Sequence, residues 1–161
     1  MKYLLSAYCI GLLGFLSHMQ QEKPLKQSIQ DGKEIYQDFC LQCHLDNGKG
    51  VENSFPPLAK SDYLQNNIEA SIRGVKYGLR GEITVNGKTY KSVMVSQGLD
   101  DEEIADVMNY ILNSWGNKAE KQITVAQVLD CLLYTSDAAD DSLRVDLGGR
   151  RIIKKLPSAR R

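Results

Sequence analysis

One pentapeptide, Cys40-Leu41-Gln42-Cys43-His44, constrains this 161-residue chain more than any other feature. The chain has four cysteines and two histidines, and two of the former and one of the latter fall within five positions. Three chemistries compete for such a cluster. A dithiol redox motif uses the Cys-x-x-Cys pair at a helix start and has no use for the histidine. A zinc site needs four ligands, and the sequence has no second Cys/His cluster to complete one. Covalent haem attachment uses every residue of the motif: two thiols add to the vinyl groups, and the adjacent imidazole lies under the iron. Haem attachment is therefore the expected chemistry, with bystander cysteines as the bland alternative.

The two ends of the chain carry separate signals. Lys2 precedes an apolar run from Tyr3 to about Ser17. That run is short for a membrane span and suits the hydrophobic region of a signal peptide. Residues 1–19 are thus expected to direct export, as a cleaved signal or an N-terminal anchor. Residues 131–161 resemble the translation of DNA-sequencing adapters. The reading TGT CTC TTA TAC ACA TCT GAC GCT GCC GAC encodes Cys131 to Asp140, and a companion piece in the same frame encodes Val145 to Ile153. Such a tail is set aside from functional argument, as any processing or cloning scar is, and few contacts with the rest of the chain are expected of it. Over the whole chain 20 basic residues balance 20 acidic ones, but residues 20–130 hold 10 Lys and 2 Arg against 16 Asp and Glu, a net charge of −4. No basic field points to nucleic acid.

Between the ends, polar residues 20–27, with Pro24, read as a linker. A helix is expected from Ser28 into the motif, with Ile29, Ile35, Tyr36, Phe39, Cys40 and Cys43 mostly on one face. Gly32 inside it costs about 1 kcal/mol against alanine; such a glycine often marks a close helix crossing, with simple tolerance as the alternative. Residues 45–64 read as a turn-rich loop long enough to wrap a bulky cofactor. A second helix fits residues 66–75, with Ile68, Ile72 and Val75 as its stripe. Alternation on either side of Asn86-Gly87 predicts a two-stranded hairpin. The last helix is the clearest element. Asp100 and Glu103 form a capping box, acidic residues fill the first turn, and Ile104, Val107, Met108, Ile111 and Trp115 make the buried stripe up to Gly116. Residues 117–130 read as a polar extension that begins another short element.

Taken together, "DGKEIYQDFCLQCH", "FPPLA", "YKSVM" and "LDDEEIADVMNYILNSWG" resemble the class I c-type cytochrome domain over residues 28–116. The resemblance implies an all-α fold of about three to four helices around one covalent haem c, with a short β-hairpin excursion near residues 83–90. It implies thioethers at Cys40 and Cys43, a proximal iron bond from His44, and a proline-bearing loop at Pro56, Pro57 and Leu58 beside the haem. Met94 would be the distal ligand, and Gly32 and Tyr36 would cross Tyr110. One departure from the family pattern is Val95, which stands where a proline often follows the ligand methionine.

The function implied is one-electron transfer by a low-spin haem with His/Met ligation, with no catalytic residues. A His/Met pair fills both axial positions and raises the potential relative to a second nitrogen ligand. The partners expected are redox proteins docking transiently, in the periplasm or at a membrane facing it, with membrane association through the N-terminal segment. A locally basic docking rim over residues 49–91 and scattered solvated charge are equally consistent with the sequence. The alternatives are a subunit or fragment of a larger redox enzyme, a haem peroxidase or ligand sensor with an open distal position, and a structural subunit.

Overall fold

The computed structural model describes residues 22–132. The leader at residues 1–19, with His18 and Met19, and the tail beyond residue 132 lie outside the described residues. Helix α1 spans Leu25–Phe39, α2 Leu41–His44, α3 Asp62–Asn66 and α4 Ile68–Tyr77. A hairpin of β1 (Ile83–Val85) and β2 (Lys88–Tyr90) follows, and then α5, Asp101–Leu112. Residues 125–132 are again helical. This is the helical architecture expected, with its one small hairpin.

The fold is organised by the crossing of α1 and α5. Ser28, Gly32 and Tyr36 are the buried residues of α1, and their four-residue spacing puts them on one face. A Cβ added to Gly32 would lie 2.0 Å from the backbone oxygen of Asp106, so the two helices touch backbone to backbone. One turn on, Tyr36 packs on Tyr110 (ring centroids 5.3 Å apart) and on Trp115 (5.1 Å). One turn back, the Ser28 hydroxyl donates to Asp106 Oδ1 at 2.6 Å, and the Lys23 ammonium donates to Asp106 Oδ2 at 2.7 Å. Lys23 also pairs with Glu102 and Asp31. Burial works against its charge, but hydrogen bonds to these three carboxylates outweigh that and hold its pKa above the ordinary lysine value.

The helix ends differ from the sequence reading in instructive ways. Residues 25–27, expected in a linker, are the first residues of α1; Pro24 precedes them with φ −59°, a torsion its ring fixes ready for a helix start. Helix α3 interrupts the expected loop, started by Ser61 Oγ accepting from Leu64 N at 3.1 Å. The capping box of α5 forms as expected: Asp100 Oδ1 accepts from Glu103 N, and Glu103 Oε2 accepts from Asp100 N, each at 2.9 Å. That helix ends at Leu112 and not at Gly116, because Asn113 and Ser114 turn their side chains onto its last carbonyls. Trp115 and Gly116 then adopt left-handed φ of 52° and 88°.

Two further expectations give way. Phe39, placed on the buried face of α1, is 44 % exposed; it borders the cleft described below and does not reach the core. The extension at residues 117–130 does begin a further short element, as expected, but it is not merely polar. Asn109 grips Ile123 through both its backbone N–H and carbonyl at 2.8 Å, and Ile123 and Val128 join the core. Cys131, assigned by the adapter reading to the tail, is buried at 6 % exposure. The helix carries whatever residue stands three after Val128 onto the same inner face.

The hairpin keeps its predicted register, Val85 opposite Lys88 and Ile83 opposite Tyr90. Asn86 and Gly87 both take positive φ, 51° and 75°, which this tight turn requires. Val85 and Tyr90 point inward and are buried.

Candidate functional site

Cys40 closes α1 and opens α2: its N–H donates to Tyr36 O at 2.9 Å, and its carbonyl accepts from His44 N at 3.0 Å. The helical path continues through the motif, so positions 40, 43 and 44 fall at the i, i+3, i+4 spacing that shares one face. Neither thiol is in a disulfide. Burial, and secondarily Cys43, push the Cys40 thiol up to about 11. A dithiol oxidoreductase needs the opposite, a thiol pKa lowered toward neutrality. Among the described residues no three His, Cys, Asp or Glu side chains converge as a metal site, which disposes of the zinc alternative within them.

His44 is buried, with Nδ1 3.0 Å from the Pro56 carbonyl oxygen. A carbonyl only accepts, so Nδ1 carries the proton and Nε2 keeps its lone pair. Burial lowers the pKa of the ring, against the opposing Pro56 hydrogen bond, and keeps it neutral. The loop that supplies this carbonyl is tied down by Leu58 N and Ala59 N, both donating to Gly48 O, and by Gly50 N donating to His44 O.

A cleft opens beside the motif in two lobes with about 710 and 700 Å³ of empty space, counting that open to solvent. Cys40, His44, Pro56, Leu79, Ile83 and Met94 line both lobes. Cys43 and Phe39 border the outer lobe, and Pro57, Leu58 and Met108 the inner one. Met94 reaches the cleft from a separate strand, pinned to Leu79 by Leu79 N→Met94 O at 2.8 Å and Met94 N→Leu79 O at 3.0 Å. A wider polar cleft lies near Glu22, Lys23, Asp106 and Gln122. It presents carboxylates and an ammonium, and no thiol or imidazole.

All six residues singled out in the sequence, Cys40, Cys43, His44, Pro57, Leu58 and Met94, border one apolar cleft. Leu79 and Ile83 were not singled out. The hairpin alternation that places Ile83 on the face of buried Val85 could have found the second, and Leu79, four residues after Val75, continues the Ile68, Ile72, Val75 spacing just past the end of α4. Two free thiols, a neutral imidazole aimed by a carbonyl, a thioether and an apolar lining make a donor set that fits an iron porphyrin held through its vinyl groups.

Fold and site thus define a small protein built around a covalent haem. The family model for cytochrome c matches residues 29–115, and the chain belongs to the cytochrome c family. It holds haem c covalently and acts as an electron carrier. It is 41 % identical over 107 residues to cytochrome c-552 of Thermus thermophilus, covering 61 % of this chain and 81 % of that protein. It is 34 % identical over 101 residues to the cytochrome c subunit of a quinone alcohol dehydrogenase of Gluconacetobacter polyoxogenes, with 60 % and 21 % covered. Subunit CcoP of the cbb3-type cytochrome c oxidase of Rhodobacter capsulatus is 28 % identical over 94 residues, with 56 % and 31 % covered.

Proposed function

We propose that the chain passes single electrons between exported redox partner proteins through a haem joined to Cys40 and Cys43 by thioether bonds, with His44 Nε2 and the Met94 sulfur on the iron. The observation that carries this reading is the pair of donors lining both lobes of one cleft: an imidazole whose Nδ1–H is engaged by Pro56, and a thioether on a backbone-pinned strand. Bound haem supplies an iron that gains and loses one electron. His44 and Met94 would both hold the iron, so that no ligand need change as its charge changes. Pro57, Leu58 and the hairpin residues exclude water, and an apolar surround favours the less charged ferrous state.

The apolar run at Tyr3–Ser17 supports export, with residence in the periplasm or at a membrane facing it. A second reading, a subunit of a larger redox enzyme, is favoured by the relatives that are cytochrome subunits of a dehydrogenase and an oxidase.

The test substitutes the two methionines that border the cleft. Met94→Ala should abolish the weak red-edge sulfur-to-iron absorption band, lower the midpoint potential and let carbon monoxide bind the reduced protein at neutral pH. Met108→Leu should do none of these and cost under about 1.5 kcal/mol, because it conserves volume at a buried position. Retention of the band in the Met94 variant and its loss in the Met108 variant would overturn the ligand assignment. A double Cys40→Ala/Cys43→Ala protein that still stains for haem after denaturing electrophoresis would overturn the attachment.

A further inference from the structure

Beyond the ligands, one side chain ties the loop under His44 to the rest of the fold. Asn117 is 4 % exposed and uses its whole amide. Its Nδ2 donates to Leu58 O and to Ile111 O, each at 2.9 Å, and its Oδ1 accepts from Lys60 N at 2.7 Å. Leu58 and Lys60 flank Ala59 on the segment that follows Pro56, whose carbonyl accepts from His44 Nδ1. Lys60 takes a left-handed φ of 52°, a conformation a lysine adopts only under restraint. The turn that delivers Asn117 is itself unusual, with Trp115 and Gly116 both at positive φ. It also sends the Trp115 indole N–H to Asp46 O at 2.9 Å, on the other arm of the same loop. A side chain at Gly48 would strike that indole ring at 2.5 Å.

We infer that Asn117 is a positioning residue for the axial histidine, holding the Pro56 carbonyl against His44 Nδ1–H by locking residues 58–60 to the end of α5. The inference rests on the proposed ligation by His44. Hydrogen-bonding partners of a ligating imidazole fix its orientation and raise its basicity. A more basic ligand stabilises the more charged ferric iron. Releasing the carbonyl should therefore raise the midpoint potential.

The experiment compares haem-loaded wild type, Asn117→Ala, Asn117→Ser and a control, Val128→Ala, which removes buried volume at a residue that lines neither lobe of the cleft. Proton NMR of the oxidised protein follows the exchange of the His44 ring N–H with solvent, alongside the midpoint potential and thermal unfolding. The expected result is at least tenfold faster exchange and a raised potential in Asn117→Ala. A smaller change is expected in Asn117→Ser, and neither change in Val128→Ala despite its lower melting temperature. Unchanged exchange and potential in both Asn117 variants, with only stability reduced, would overturn the positioning role. If wild type shows no iron-shifted histidine ring N–H at all, the ligation by His44 falls, and this inference with it.

Discussion

The α1–α5 crossing and the segment from Gly78 to Leu99 are held by different kinds of contact. At the crossing, Ser28, Gly32, Tyr36, Asp106 and Asn109 are all buried, the backbones meet at Gly32, and a polar network engages every side-chain donor and acceptor it buries. The segment bearing Met94 is looser. Val93 and Val95 on either side of Met94 are 49 % and 63 % exposed, and Met94 pairs with Leu79 in an isolated bridge. A redox carrier benefits from this division. A close-packed frame keeps the motif in place, while the strand carrying Met94 borders the cleft, where a bound cofactor would supply apolar surface to pack against. Segments with few buried contacts are the ones that open first.

The division can be broken most directly at Gly32. In Gly32→Ala the new methyl would meet a backbone oxygen at 2.0 Å, and no side-chain rotation relieves a clash with backbone. Overpacking typically costs about 1–3 kcal/mol; with two helix backbones forced apart the upper end, about 3 kcal/mol or more, is expected. Denaturant unfolding of the haem-loaded variant measures it. The sulfur-to-iron band should survive in whatever fraction stays folded, since Met94 lies on the other segment. A fully stable Gly32→Ala protein would mean that the crossing is not the rigid half.

Gly78→Ala is the matching change on the loose side, and smaller. Gly78 has φ 82°, and a Cβ there would approach Met94 O at 2.6 Å and Ser96 N at 2.9 Å. Strain of this kind costs about 1–3 kcal/mol, here with its consequence displaced onto the strand that carries Met94. The expected outcome is a weakened red-edge band and carbon monoxide binding at moderate loss of stability, about 2 kcal/mol. A variant that loses stability as Gly32→Ala does, yet keeps its band, would erase the distinction between the two regions.

This contrast also marks what could be read in the sequence. Local signals were legible wherever the chemistry is local. The Asp100/Glu103 capping box, the Asn86-Gly87 turn and the five-residue haem motif each act over a handful of positions, and each stands where expected. Gly32 was legible as a crossing because a mid-helix glycine has few other uses. What was not legible depends on partners far along the chain. Helix α1 starts at Leu25 in part because Lys23 reaches Asp106, 83 residues away. Residues 117–130 looked like a polar extension because Ile123 and Val128 are sparse, and nothing nearby announces that Asn109 will hold Ile123. The five-residue α3 is too short for a period to show, although Ser61 three residues before Leu64 is a readable cap. The place of Met94 beside the cleft was expected only through resemblance to a family, and its pairing with Leu79 was not expected at all.

The smallest effect is expected where the loose segment carries its charges. Lys88 on β2 pairs with Glu52 in the haem-side loop, at 58 % and 69 % exposure, and Lys91 pairs with Glu82 at 75 % and 56 %. The basic rim considered for docking is thus partly neutralised by its own acids. Water screens such pairs, and the ordering of two long side chains offsets most of the attraction. The hairpin has better reasons to hold its place. Val85 and Tyr90 are buried, and Asp62 and Asn86 exchange reciprocal backbone-to-side-chain hydrogen bonds at 3.0 and 2.7 Å. Lys88→Ala should therefore leave the melting temperature, the red-edge band and their salt dependence unchanged within error. Thermal unfolding of the haem-loaded protein at low and high ionic strength measures this directly. A melting point several degrees lower at low salt, recovering toward wild type as salt screens both proteins, would show that an electrostatic tie holds the distal segment. The loose half would then owe its order to surface charge and not to apolar packing against the cofactor.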